Sequence, residues 1–317
     1  MFRASLSALA AVALLMGAAP NVMAQTAAPA ALSAAAAAYP KPAPDTHPLQ
    51  YGRFTVEVVG HGPDVILIPG LNSSRETFAA LVAAEKGHYR FHLIQVAGFA
   101  GTPAGDNATG EVFSPVVEAL DRYIHDKGLK APAVIGHSMG GELALALAAR
   151  HPGDVSRVMT VDSLPWFGVL FGQPGVNDQL RGMAKGMAAR MKGGTDAGWV
   201  KGSIDNTAPL LSPGADQNMV IGWSLNSDRA VSAEAFADLV VTDLRPELAN
   251  IAVPVTVLYA HGPQFGAQKP EQTDAFVEKL YGNLKNARLV RIMPSHHFIM
   301  FDQPTRFRSE VEGFLKG

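Results

Sequence analysis

From residue 51 onward the chain alternates between short, nearly continuous apolar runs and longer stretches whose apolar residues recur at helical spacing. The runs at 54–59, 65–68, 91–96, 133–135, 158–161, 255–259 and 288–292 predict strands. Several are almost unbroken Val, Ile and Leu, as expected of strands covered on both faces of a parallel sheet. A helix is predicted over 77–84, behind the candidate N-caps Ser73 and Ser74. Another starts at Ser114 with Pro115 in its first position, aligns Val117, Leu120 and Ile124 on one face, and stops at Gly128. The stretch 143–149 is apolar all round and predicts a deeply buried helix, and a last helix runs from about Pro304 to Lys316. Strands alternating with helices imply a mainly parallel sheet with right-handed crossovers.

One stretch breaks this rhythm. Between Pro165 and Arg245 no strand pattern occurs, and apolar residues recur at helical spacing around 180–191 and 236–244. Two ordinary crossover helices would need a strand between them, so 165–245 reads as a helical cap inserted into a core of 51–164 and 246–317. Trp166, Phe167, Phe171, Met183, Met187, Met191, Trp199 and Trp223 give that cap a large, adaptable apolar surface, suited to an acyl or aromatic group.

The N-terminus has a different character. Arg3, an apolar run over 6–16 and the small residues around Val22-Met23-Ala24 form a leader pattern, with cleavage expected after Ala24. The apolar run is about half the length a bilayer crossing requires, so no stable membrane insertion is expected after processing. Residues 25–50 are rich in Ala and Pro and are expected to form a flexible, solvated tether. The chain has no cysteine, so neither a disulfide nor a lipidated cysteine is available. A soluble periplasmic or secreted product is the expectation.

Of the 317 residues, 48% are hydrophobic and only 17% charged, with a formal net charge of −2. That balance offers nothing to attract nucleic acid or anionic lipid, so the expected partner is a small, weakly charged molecule. The pattern carries no statement about oligomeric state.

Candidate chemistry sits at three turns. The first, Gly136-His137-Ser138-Met139-Gly140-Gly141, falls directly between the predicted strand 133–135 and the buried helix. A sharp strand-to-helix bend strains the backbone at the Ser, and Gly136 and Gly140 lack the Cβ atoms that would clash there. Ser138 is thereby presented at a helix N-terminus, where the dipole favours developing negative charge. The competing reading is a plain Gly-rich turn capped by a serine. The second turn, Ile68-Pro69-Gly70-Leu71-Asn72-Ser73, follows the strand 65–68, and the third, Ser295-His296-His297-Phe298-Ile299-Met300, follows the strand 288–292. An imidazole with an ordinary pKa near 6.5 can accept a serine proton and return it to a leaving group, so activity is expected to decline as pH falls through roughly 6 to 7. A zinc site on the adjacent pair His296 and His297 fails, because neighbouring residues of extended chain point in opposite directions and no H-E-x-x-H spacing occurs.

Over roughly 51–317 these motifs resemble the α/β-hydrolase superfamily, in its esterase-like branch with a helical cap. The resemblance implies an α/β-hydrolase fold: a mostly parallel, eight-stranded sheet with helices on both faces. It also implies a serine nucleophile, an acid and a histidine in that chain order. By the same resemblance Ser138 is the nucleophile, His297 rather than His296 the base, and the backbone N–H groups of Leu71 and Met139 the oxyanion donors. No metal or organic cofactor is implied.

The acid departs from the commonest pattern of the family. The loop after the strand 255–259 reads Ala260-His261-Gly262-Pro263-Gln264-Phe265-Gly266, with Phe265 near the place where an acid is usual. A second position lies one strand earlier, and Asp162 occupies it; Glu271 and Asp274 remain as alternatives. Many relatives also carry an acid where this chain has Ala97. The resulting expectation is a serine hydrolase cleaving an ester-like bond of a small, largely apolar substrate. Lactone, amide or carbon–carbon hydrolysis, perhydrolysis, and a non-catalytic binding protein lacking the acid are kept as alternatives.

Overall fold

The computed structural model describes residues 34–47 and 50–317. The expected leader, 1–24, lies outside the described residues. Seven strands form one sheet in the order β1-β3-β2-β4-β5-β6-β7: β1 (Phe54–Gly60), β2 (Asp64–Ile68), β3 (Arg90–Val96), β4 (Ala133–His137), β5 (Arg157–Val161), β6 (Val255–Ala260) and β7 (Ala287–Ile292). β1 runs antiparallel to β3, from Phe54 opposite Val96 to Gly60 opposite Arg90, and every other pairing is parallel.

All seven strands lie where the apolar runs predict them. The eighth strand implied by the family is absent among the described residues. The preceding segment, 34–47, carries Pro40, Pro42 and Pro44, which have no amide hydrogen to offer a ladder, and β1 forms the edge. β4 runs two residues past its apolar stretch because Gly136 and His137 still pair with Thr160 and Val161 of β5.

Alternate residues of the strands feed two cores. Ile66, Ile68, Val134 and Val158 face α2 (Phe113–Asp126) and α3 (Met139–Arg150). Val65, Leu67, Ile135 and Met159 face α1 (Ala79–Glu85) and the C-terminal helix Pro304–Lys316. This two-sided burial explains why the runs are unbroken rather than alternating. Helix α2 starts at Phe113, one residue before the expected Ser114. The Asp238 carboxylate, more than a hundred residues away, accepts from the amides of Val112 and Phe113 at 2.7 and 3.0 Å, which makes this cap tertiary rather than local.

Between β5 and β6 come α4 (Asp178–Gly193), α5 (Asp196–Thr207), α6 (Ala215–Leu225) and α7 (Arg229–Val241), without a strand. Trp166, Leu180, Ala184, Phe236 and Val240 bury one another in a small separate core between α4 and α7. α8 (Pro270–Leu280) follows β6, and the short α9 (Ile299–Asp302) and α10 (Pro304–Lys316) close the chain.

The expectation of a solvated tether over 25–50 needs correcting in its described part. Asp45 accepts hydrogen bonds from Thr55 Oγ1 at 2.5 Å and Arg75 Nη2 at 2.8 Å, with both ion-pair partners about nine-tenths buried. The carbonyl of Pro40 packs so tightly on α6 that a Cβ at Gly222 would lie 2.0 Å from it. A buried cation whose nearer carboxylate is Asp45 fixes this segment, which composition alone does not foretell. Among the described residues no helix is long and apolar enough to cross a membrane.

Candidate active site

The C-terminal ends of the parallel strands converge on one cavity of about 1000 Å³. Ser138 follows β4, Asp162 follows β5, Gly70 and Leu71 follow β2, and His297 lies in the loop after β7; all five residues but Gly70 were singled out from sequence, and all five line this cavity.

Ser138 has φ 52° and ψ −122°, a backbone conformation that costs an L-residue on the order of 1–3 kcal/mol. The surroundings impose it. Its N–H donates to the Val161 carbonyl at 3.0 Å, and its carbonyl accepts from the Gly141 N–H at 2.8 Å. A Cβ at Gly136 would lie 2.0 Å from the Gly140 carbonyl oxygen, and one at Gly140 would lie 2.1 Å from that of Ile68. Both glycines are therefore required by close approach rather than by a positive φ. The turn after β2 abuts the serine: a Cβ on Gly70 would meet the Ser138 Cβ at 3.0 Å. Met139 is the first residue of α3, so its N–H is one of those a helix cannot satisfy internally.

Asp162 holds the imidazole. Its Oδ2 lies 2.7 Å from Nδ1 of His297, while its Oδ1 accepts the Ala260 N–H at 2.8 Å. The alternatives are engaged elsewhere: Asp274 accepts from the Tyr259 hydroxyl and pairs with Arg291, and Glu271 is exposed on the first turn of α8. His296 is also separated from this pair, since its N–H and Nδ1 both meet Asp302 Oδ2, at 2.7 and 2.9 Å. Phe265, at the usual place of the acid, stacks on His261 with ring centroids 4.9 Å apart. The His297 ring and the Ser138 hydroxyl face the same cavity without a hydrogen bond between them, a contact that commonly tightens only when substrate is bound.

His137 supports this arrangement from below. Nε2 donates to the His297 carbonyl at 3.2 Å and the two rings sit 4.6 Å apart. Complete burial, and then the neighbouring His297 imidazole, hold His137 well below the usual imidazole range, so it is a neutral donor.

Of the aromatic and Met residues singled out between 165 and 245, Phe167, Met187, Met191 and Trp199 line the cavity. Trp166 and Trp223 are instead fully buried in packing cores, Trp166 with its indole N–H on the Val240 carbonyl at 2.9 Å. Sequence reasoning missed Glu142, which also lines the cavity. The available signal was a single carboxylate in an otherwise apolar helix, four residues after Ser138. Among the described residues one group could hold a metal ion: Asp121, His151 and Asp154 bring ligand atoms within 4.8 Å of one another. It lies at the far end of α3, about 20 Å from Ser138 at 1.5 Å per residue, and none of its members lines the cavity.

The sequence profile of the α/β hydrolase fold family matches residues 63–304, about three-quarters of the chain. The chain belongs to the α/β-hydrolase family. The pimeloyl-[acyl-carrier protein] methyl ester esterase of Aeromonas hydrophila is 23% identical over 272 residues, 82% of this hydrolase and 98% of the relative. Among solved structures, the enol-lactonase from Burkholderia xenovorans superimposes with a TM-score of 0.67 at 20% identity, covering 83% of this chain and 96% of that one. An esterase from Exiguobacterium antarcticum gives 0.66 at 20% identity, with coverage of 83% and 96%. At such identities the structural likeness concerns the fold.

Proposed function

We propose that this hydrolase cleaves a carboxylic ester-like bond of a small, largely apolar molecule through an acyl-enzyme on Ser138. One observation carries the reading: the 2.7 Å contact of Asp162 with His297 Nδ1, on the wall of the cavity that Ser138 enters. Nδ1 protonated toward Asp162 leaves Nε2 as the basic nitrogen. Ser138 Oγ attacks the carbonyl carbon while Nε2 takes its proton. The N–H groups of Leu71 and Met139 stabilise the oxyanion, each worth about 3 kcal/mol in the transition state. The imidazolium then gives its proton to the leaving oxygen, the alcohol departs, and water cleaves the acyl-enzyme by the same steps. An esterase and an enol-lactonase share this fold, in keeping with either an open or a cyclic ester as substrate. A binding protein that lost its acid is disfavoured, because Asp162 supplies one.

The test is hydrolysis of short- and long-chain nitrophenyl esters, with lactone, amide and 1,3-diketone substrates alongside. Stoichiometric labelling of Ser138 by a fluorophosphonate, abolished together with turnover in Ser138→Ala, supports the proposal; full turnover in Ser138→Ala ends it. Export with removal of residues 1–24 belongs to the same proposal. Recovery of a mature chain beginning at Gln25 supports that part, and a retained Met1 in the exported protein refutes it.

A further inference from the structure

Seven buried side-chain polar atoms among the described residues have no hydrogen-bond partner, and five of them belong to residues lining the active-site cavity: His137, Glu142, Ser163, Asn206 and Gln264. Orphaned buried polar atoms cost about 1–3 kcal/mol each, so their concentration around one cavity points to a ligand that satisfies them. Two of them, Glu142 and Ser163, lie just after Ser138 and Asp162 in the chain and line the same cavity.

Glu142 sits one helical turn beyond Ser138, on the helix whose other residues through Ala149 are all buried, and it is itself 3% exposed. Its Oε2 meets no partner. Ser163, next to Asp162 and 5% exposed, is held against the same turn: a Cβ at Gly141 would lie 2.5 Å from the Ser163 Cβ and 2.7 Å from its Oγ. The Tyr281 hydroxyl donates to the Ser163 carbonyl at 2.7 Å and pins that backbone, while the Ser163 hydroxyl is left without a partner. Leu164, Phe167 and Leu239, also on the cavity wall, supply the apolar surface.

Resting on the ester hydrolase reading, we infer that Glu142 and Ser163 form a hydrogen-bonding subsite for an uncharged oxygen, a ketone or hydroxyl, on the acyl part of the substrate. Burial, and then the nearby Asp243 carboxylate, hold Glu142 well above the usual carboxylate range. A neutral carboxyl in an apolar recess presents an O–H donor beside a C=O acceptor, and the serine hydroxyl can donate or accept alongside it. A carboxylate on the ligand would be unfavourable there, since it would be buried without a cation. Four residues of helix span about 6 Å, so the oxygen lies a few bonds beyond the scissile carbonyl. A site built to bond an oxygen rejects the analogue lacking it, because its own polar groups are then left unpaired.

The experiment compares kcat/KM for nitrophenyl hexanoate with that for the 4-oxo and 5-oxo hexanoates, in wild type, Glu142→Leu, Glu142→Gln and Ser163→Ala. The oxo-to-plain ratio cancels any loss common to both substrates. We expect the ratio for the better oxo ester to fall at least tenfold in Glu142→Leu and severalfold in Ser163→Ala, carried mostly by KM. It should largely persist in Glu142→Gln, which keeps a neutral donor and acceptor. A ratio unchanged in Ser163→Ala and Glu142→Leu, or a wild type that favours the plain ester, overturns the subsite. Calorimetric binding of 5-oxohexanoate against hexanoate to Ser138→Ala, and to that variant carrying Glu142→Leu, reads the same preference without turnover. If no ester is cleaved but oxo-acid binding depends on Glu142, the hydrolase reading fails and the subsite stands; if neither acid is preferred, the subsite fails.

Discussion

Asp162 and His297 are 135 residues apart in the chain and 2.7 Å apart in space, with the second carboxylate oxygen fixed by the Ala260 amide. Two strand ends are thus tied to the histidine loop through one side chain. Asp162 itself has φ 45°, and its N–H donates to the Leu258 carbonyl at 2.7 Å. The position of this acid is set by the sheet register of β5 and β6, not by a flexible loop.

The first prediction follows directly. Asp162→Asn preserves the shape but presents an amide to Nδ1, stabilising the wrong tautomer. It should lower kcat by about three to four orders of magnitude with little change in KM. Glu271→Gln, on the exposed turn of α8, should stay within severalfold of wild type. Steady-state kinetics on a nitrophenyl ester decides, and the reverse pattern would move the acid to α8.

Glycine substitutions should separate by surroundings. Gly140→Ala drives a Cβ to 2.1 Å from the Ile68 carbonyl, where only backbone can yield, and should cost about 3 kcal/mol or more together with activity. Gly182→Ala, inside α4 with open space around it, should instead stabilise by about 0.5–1 kcal/mol. Urea unfolding of both variants measures the contrast.

Removing the anchor of the N-terminal segment should expose a buried charge. Asp45→Ala leaves Arg75 with only Glu57, 3.7 Å away, and is expected to destabilise by about 3 kcal/mol. Burial raises the Asp45 carboxyl, but its bonds from Thr55 and His47 and the charge of Arg75 outweigh this and leave it below its ordinary 3.8. Its contribution is therefore present above 3.8 and is lost as pH falls below that value, so the difference between wild type and variant should shrink in acid. Thermal melts at pH 7 and pH 3 check both statements.

Glu142 gives stability a pH dependence of opposite sign. Its folded-state pKa is raised well above 4.5, so the unfolded chain releases this proton before the folded one does. The contribution is complete below pH 4.5 and declines as pH climbs toward the raised value, by up to about 1.4 kcal/mol per unit. Glu142→Gln has no such proton, and should gain stability relative to wild type between pH 5 and pH 8. Equal shifts at the two pH values would show that Glu142 ionises in the folded protein.

Much of this was legible in the sequence because it rests on local constraints. Two-sided burial writes itself into unbroken Val, Ile and Leu runs, and a strand-to-helix bend around Ser138 needs glycine at 136 and 140 wherever it occurs. These features yield the fold class and place Ser138 at the bend, whereas the preference for His297 over His296 came from the resemblance to the α/β hydrolases. What only the tertiary structure decided involves partners distant in sequence. The choice of Asp162 over Asp274 depends on which carboxylate the β5–β6 register turns toward the imidazole, and Asp274 is already taken by Tyr259 and Arg291. The seven-stranded sheet, the cap of α2 by Asp238 and the docking of Asp45 on Arg75 are likewise pairings across 24 or more residues or the absence of one. Glu142 joins both sides: its charge in an apolar helix is visible in the sequence, but only the packed structure shows that it opens onto the cavity unpaired. Local propensity and periodicity constrain neighbours along the chain; which side chains meet across the sheet is fixed only when the strands are in place.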